Sequence, residues 1–163
     1  MQKLNSKKMA MIGATAAIYA VLTVAMAPIS YGAVQLRLSE VMTLLAFVDP
    51  VFIPGLVLGN FIANLFSPFG LPDVVFGTLA TFIAVFMMSK MKSMLIASFW
   101  PTIANGLIIG LELAIFTGAP FVSTALYVAL GEFLVVTVLG YPVFKVVMRN
   151  KTIQNLTVFS DIK

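Results

Sequence analysis

The chain has no cysteine and no histidine among its 163 residues. The first absence removes disulfides and thiol nucleophiles, and the second removes imidazole bases, histidine-ligated haem and most zinc sites. Charge is scarce as well: Asp, Glu, Lys and Arg together supply 10% of the residues, six acidic and ten basic. No Gly-x-x-x-x-Gly-Lys-Ser/Thr segment occurs, so there is no phosphate-cradling loop with which to hydrolyse ATP in the usual way. Nor do the two halves share the paired broken helices of a secondary transporter. The sequence therefore reads as a non-enzyme without metal or cofactor, and no nucleic-acid partner is expected.

What fills the chain instead is apolar. Hydrophobic residues make up 61% of it and the mean hydropathy is +1.07, outside the range of an ordinary soluble domain. A lipid bilayer is the expected solvent. The apolar runs exceed the roughly ten-residue alternating segments of a transmembrane barrel, so the expected fold is all-α, a bundle of transmembrane helices. One integral membrane domain, 1–163, is expected, since no internal repeat, low-complexity tract or domain linker interrupts the chain.

Breaker residues divide this domain into helices over about 8–27, 37–48, 51–66, 72–89, 94–117 and 121–149, with a short polar tail at 150–163. The breaks are Pro28, Asp49-Pro50, the connector Ser67 to Asp73, Lys90-Met91-Lys92 and Thr117 to Pro120. Gly140-Tyr141-Pro142 predicts a kink in the last helix. The start, with Lys3, Lys7 and Lys8, resembles a signal peptide, but the run from Met9 to Ala27 is about a full bilayer span and reads as a retained first helix. Residues 38–66 are short for two crossings and either traverse twice or form a re-entrant hairpin.

Basic residues orient the bundle. With the N-terminus cytoplasmic, Lys3, Lys7, Lys8, Lys90, Lys92, Lys145, Arg149, Lys151 and Lys163 fall inside and Arg37 alone falls outside. That asymmetry predicts a multi-pass cell-membrane protein with six transmembrane helices and both termini cytoplasmic.

The stretch Ser30 to Glu40 stands out against this background. Gln35, Arg37 and Glu40 are crowded between two hydrophobic runs, and three residues make about one helical turn, so Arg37 and Glu40 are expected to share a face and neutralise each other. Asn60 and Asn64 share a face four residues apart, Asp73 opens the fourth helix, Asn105 and Glu112 lie seven apart on the fifth, and Glu132 is near the middle of the sixth. Counted from the outer helix ends, nearly all of this polarity falls in the outer half of the membrane. An ion pathway needs polar groups through the full thickness, whereas an outward-opening pocket needs them only there. Tyr31, Phe69, Trp100 and Tyr127 are candidate walls for such a pocket, with packing the stronger reading for Trp100. Interhelical bonding is the plainer role for any single asparagine.

Two stripes of small residues complete the pattern. Ala10, Gly13, Ala14, Ala17 and Ala20 fall on one side of the first helix, and Gly55, Gly59 and Ala63 on one side of the third. Such stripes let a second backbone approach closely, within the bundle or from another subunit.

Ser30-Tyr31-Gly32-x-x-Gln35-x-Arg37-x-Ser39-Glu40, preceded by Ala16 to Thr23 and followed by Asn64-Leu65-Phe66-Ser67-Pro68 and Asp73-Val74-Val75-Phe76-Gly77, resembles the QueT-type queuosine-precursor transporters. These are substrate-binding S-components of energy-coupling factor (ECF) transporters. The resemblance is clearest over residues 10–80. It implies a six-helix S-component that captures a 7-deazaguanine base, such as 7-cyano- or 7-aminomethyl-7-deazaguanine, and works with an ECF T-component and two cytoplasmic ATPases. The candidate substrate-binding residues are then Tyr31, Gln35, Arg37, Glu40, Asn60, Asn64, Asp73, Asn105, Glu112, Tyr127 and Glu132, with Arg37 and Glu40 read first as a structural pair. Ala10, Gly13, Ala14, Ala17 and Ala20 are similar to the motif that docks such subunits on the T-component. The alternatives are an S-component for a vitamin or purine, a self-sufficient small transporter, and a noncatalytic anchor.

Overall fold

The computed structural model describes residues 6–32 and 34–149 and is helical, with no strand among the described residues. Six apolar helices follow one another: α1 Ser6–Ala25, α2 Leu38–Val48, α3 Pro50–Asn64, α4 Asp73–Met88, α5 Met94–Thr117 and α6 Phe121–Val147. A single extra turn, Ala27–Ser30, lies between the first two. α1, α5 and α6 are long and apolar enough to cross a membrane, while α2, α3 and α4 are apolar but shorter. Lys3, Lys151, Lys163 and the tail 150–163 lie outside the described residues.

Local chemistry explains where the helices stop and bend. Asp49 ends α2 in extended conformation, and its carboxylate accepts from the Val51 N–H at 2.8 Å to cap the next helix, which opens on Pro50. Gly118 closes α5 in the left-handed conformation (φ 72°), which a side chain would resist. The interruption expected around Gly140-Tyr141-Pro142 takes the form of a π-helical stretch, Phe133–Gly140, just ahead of the proline. The wider turn accommodates carbonyls that proline, lacking an N–H, cannot serve. A second π-helical stretch, Asp73–Gly77, opens α4.

The helices close into a ring in which α1 packs on α3, α3 on α4, α4 on α5, α5 on α6, and α2 bridges α6 back to α1. Glycine sets the closest approach. A Cβ at Gly55 would lie 2.7 Å from the Ile12 carbonyl oxygen, and one at Gly59 would lie 2.8 Å from both the Ala16 carbonyl oxygen and the Tyr19 Cβ. The α1 face that packs in the bundle is therefore Ile12, Thr15, Ala16 and Tyr19. Ala10, Gly13, Ala14 and Ala17 point outward, but Ala20 turns inward and is 8% exposed, so the outward stripe ends at Ala17. On a helix turning about 100° per residue, Ala20 falls one turn above Ala16, whose carbonyl meets Gly59, and so lies at the edge of the packed face.

The bundle inverts the polarity of a soluble protein. Val21, Leu71, Ile96, Val122, Leu126 and Val146 are all more than half exposed. Ser39, Glu40, Asn60, Asn64, Asp73 and Glu112 are buried. Exposed aliphatics around a polar interior suit a hydrocarbon surround and would be a liability in water.

Candidate functional site

Each of the six helices sends polar side chains to the centre of the ring. α1 supplies Tyr19 and Thr23, α2 Ser39 and Glu40, α3 Asn60 and Asn64, α4 Asp73 and Thr81, α5 Asn105 and Glu112, and α6 Glu132, all buried. The segment between α1 and α2 adds Ser30, Tyr31, Gln35 and Arg37. Four of the six acidic residues in the chain thus surround one arginine.

Arg37 is held from three directions. Its Nε donates to the Ser30 carbonyl at 3.2 Å, its Nη2 is 3.7 Å from an Asp73 carboxylate oxygen, and its guanidinium sits 5.2 Å from the centroid of the Tyr31 ring. The Tyr31 hydroxyl donates to the Ala63 carbonyl at 2.5 Å, fixing that ring against α3. Asp73 also accepts a short hydrogen bond from the Ser67 hydroxyl.

A second chain of bonds crosses the bundle. Asn64 Nδ2 donates to Asn60 Oδ1 (2.7 Å) and to the Asp73 carbonyl (3.0 Å), and Asn60 Nδ2 donates to the Tyr19 hydroxyl (3.0 Å). Tyr19 in turn donates to Glu40 Oε1. Thr23 and Ser39 hydroxyls meet at 2.6 Å, so α1 and α2 are joined twice. Across the ring, Asn105 Nδ2 donates to Glu132 Oε1 at 2.6 Å.

The bonding is incomplete in a particular way. Glu40 Oε2, Glu132 Oε2 and Asn64 Oδ1 are buried without a protein hydrogen bond, as are Gln35 Nε2, Arg37 Nη2 and Ser30 Oγ, while the Glu112 carboxyl group meets that of Asp73. Buried polar atoms are nearly always satisfied, so such a concentration at one place marks a position where a guest or water completes the set. Backbone strain gathers here too. Gln35 has φ 48°, the one positive value among described residues other than glycine.

The sequence model of the family described as QueT transporter matches residues 9–149. The chain belongs to the QueT transporter family. Its sequence is similar to a protein of Lactococcus lactis subsp. cremoris (strain MG1363) named queuosine precursor transporter QueT, with 30% identity over 152 residues, covering 82% of this chain and 88% of the relative. No solved structure matches.

Within this QueT family chain, ten of the eleven residues expected to bind substrate are buried; the contacts above join Tyr31, Arg37, Glu40, Asn60, Asn64 and Asp73 into one network, while Asn105 and Glu132 form a separate pair. Tyr127 is not among them: it is 54% exposed on the outer face of α6. Phe69, on the connector before α4, is also exposed, and Trp100 packs against the main apolar core. The expected neutralisation of Arg37 by Glu40 is replaced by a different pairing. Arg37 precedes α2 with an extended backbone (φ −86°, ψ 96°), so no helical register joins it to Glu40, and it forms its ion pair with Asp73 from α4. Glu40 bonds Tyr19 instead.

Tyr19, Ser67 and Thr81 are members that the sequence reading missed. A signal existed for Tyr19, because Thr15, Tyr19 and Thr23 recur every fourth residue and mark a polar line on the buried face of α1. Tyr19 is fully buried, and its hydroxyl serves Glu40 and Asn60 at once. Tyr19→Phe should therefore orphan two buried groups and cost about 1–3 kcal/mol. Thermal denaturation of the purified variant in detergent checks this, and an unchanged midpoint would remove Tyr19 from the network.

Proposed function

We propose that this chain is the solute-capturing S-component of an ECF uptake transporter, a single membrane domain importing a queuosine precursor of the 7-deazaguanine type. The observation that carries the reading is the buried cluster of unpartnered polar atoms where all six helices converge, in a chain with no phosphate-cradling loop of its own. A guanine-like edge offers adjacent N–H donors to a carboxylate, its O6 accepts from Arg, Gln or Asn, and its face suits a ring such as Tyr31. The Lactococcus relative's name favours the same class of solute.

In this reading α1 to α6 all cross the cell membrane and both termini are cytoplasmic. Lys7 and Lys8 before α1, Lys90 and Lys92 between α4 and α5, and Lys145 and Arg149 at the end of α6 support that orientation. Solute arrives from outside, and a T-component with two ATPases supplies the energy. The exposed small residues Ala10, Gly13, Ala14 and Ala17 form the docking face, where a Cβ added at Gly13 meets nothing within 4 Å.

Two measurements test the proposal. Thermal shift of the purified chain against deazaguanines, purines and vitamins should show selective stabilisation by a deazaguanine, since ligand binding to the folded state raises apparent stability. Ala14→Leu and Ala17→Leu should keep that stabilisation and abolish uptake by cells that supply the partner subunits. Uptake into vesicles free of any ATPase would overturn the coupling, and loss of binding in the alanine variants would overturn the docking face.

A further inference from the structure

The polar centre is not the whole of what the bundle offers a small molecule. On its outer surface α3 and α4 part to leave a groove of about 370 Å³, a ligand-sized volume, with Ile53, Val57, Leu58 and Phe61 on one side and Thr78 and Phe82 on the other. Thr78 is the polar member of this wall, and its hydroxyl oxygen is buried, so the surface presented is hydrocarbon.

The groove leads to a cation. Thr78, Phe82, Phe86 and Lys90 recur every fourth residue, each about one turn below the last. The Phe82 and Phe86 rings stack with centroids 6.0 Å apart, and the Lys90 ammonium lies 5.2 Å from the centroid of Phe86. Lys92, two residues on, is exposed as Lys90 is. From Thr78 to Lys90 the helix axis covers about 18 Å, and one leaflet contributes about 15 Å of hydrocarbon. A lane that is apolar through the depth of a leaflet and basic at its end is complementary to one acyl chain and one negatively charged headgroup. A second helix suits the groove less well. Helices associate in membranes through small side chains that let backbones approach, whereas Leu58, Phe61 and Phe82 are large, project outward and hold a backbone away.

We propose that the groove between α3 and α4 binds one anionic phospholipid from the leaflet at the Lys90 end, its acyl chain lying between Leu58 and Phe82 and its phosphate meeting Lys90 and Lys92. The inference stands apart from the solute reading and needs only a bilayer around the helices.

Titration of the full-length protein in detergent with phosphatidylglycerol and with phosphatidylcholine of the same acyl chains tests it, with native mass spectrometry counting the lipids retained. One phosphatidylglycerol should be held at least about fivefold more tightly than phosphatidylcholine, the effect expected of one lysine near a membrane surface. Lys90→Gln combined with Lys92→Gln should bring the two lipids to equal affinity. Leu58→Trp fills the groove from a position that is 45% exposed, and it should weaken both lipids about tenfold or more, the worth of roughly two buried methylene groups. Lys145→Gln removes another lysine stacked on an aromatic ring, 5.5 Å from the centroid of Tyr141 on α6, and should change neither affinity. Equal retention of the two lipids by the parent overturns the proposal. So does a loss in Lys145→Gln as large as in the double variant, which would mean diffuse attraction to charge, or undiminished lipid binding in Leu58→Trp, which would place the lipid elsewhere. A lipid-independent dimer that Leu58→Trp dissociates would give the groove to a second copy of the chain and overturn it too. None of these results touches stabilisation by a deazaguanine, so the solute reading stands or falls separately.

Discussion

Arg37→Met is expected to be the most damaging single change in the polar centre, with a loss on the order of 3–5 kcal/mol, the usual result of stripping a buried carboxylate of its partner. Arg37 is the one cation among four buried acids, and its removal leaves Asp73 with the Ser67 hydroxyl and a second acid, Glu112. The segment before α2 would also lose its tether to the Ser30 carbonyl and its seat over the Tyr31 ring. Arg37→Lys should fall between, since it keeps the charge but cannot reach the carbonyl, carboxylate and ring in one planar arrangement. Adding Asp73→Asn to Arg37→Met should recover part of the loss, because the two side chains interact directly. Thermal midpoints of the four proteins in one detergent decide the matter. Equal midpoints for parent and Arg37→Met would mean that the cluster does not depend on its cation.

Gly59→Val should be nearly as severe, for a steric reason. The first atom of any side chain at Gly59 meets the Ala16 carbonyl oxygen and the Tyr19 Cβ at 2.8 Å, and both belong to a helix packed along its length. Neither can move without displacing α1. Overpacking of this kind costs about 1–3 kcal/mol even where the core can yield, and valine adds two methyl groups to the first contact. The damage reaches the site as well, because pushing Tyr19 away breaks its bonds to Glu40 and Asn60. Gly13→Ala, on the open face of the same helix, is the control and should leave stability within about 0.5 kcal/mol or raise it slightly. A folded Gly59→Val with the parent's midpoint would show that α1 and α3 do not need this close approach.

The relation between these residues and the sequence is uneven. Asn60 and Asn64 were legible as a pair because four residues return a helix to the same face, and they do bond each other. Asn105 and Glu112 both turn inward, as their spacing of seven implies. Arg37 and Glu40 were misleading, since the same rule applied to them assumes a helix that begins one residue later. Tyr127 differs for a related reason: α6 presents Val128, Gly131 and Glu132 inward, and Tyr127, about a quarter-turn from that line, is left exposed.

Ala20 and Tyr19 mark the same limit on α1. Composition cannot say which of two small-residue faces the bundle consumes. The answer depends on Gly55 and Gly59, some forty residues away, which accept Ile12, Ala16 and Tyr19 and thereby turn Ala10, Gly13, Ala14 and Ala17 outward.

By itself, then, the order of residues determined where helices form and end, that their surroundings are hydrocarbon, and which few polar side chains would have to be hidden. Periodicity, breakers and hydropathy are local properties, and a chain displays them before it folds. Only the tertiary structure decided that Arg37 answers to Asp73, that Tyr19 joins Glu40 to Asn60, and that Glu112 lies against Asp73. Those facts depend on which helices neighbour one another around the ring. That order is set by close backbone approach between distant segments, to which no short stretch of sequence refers.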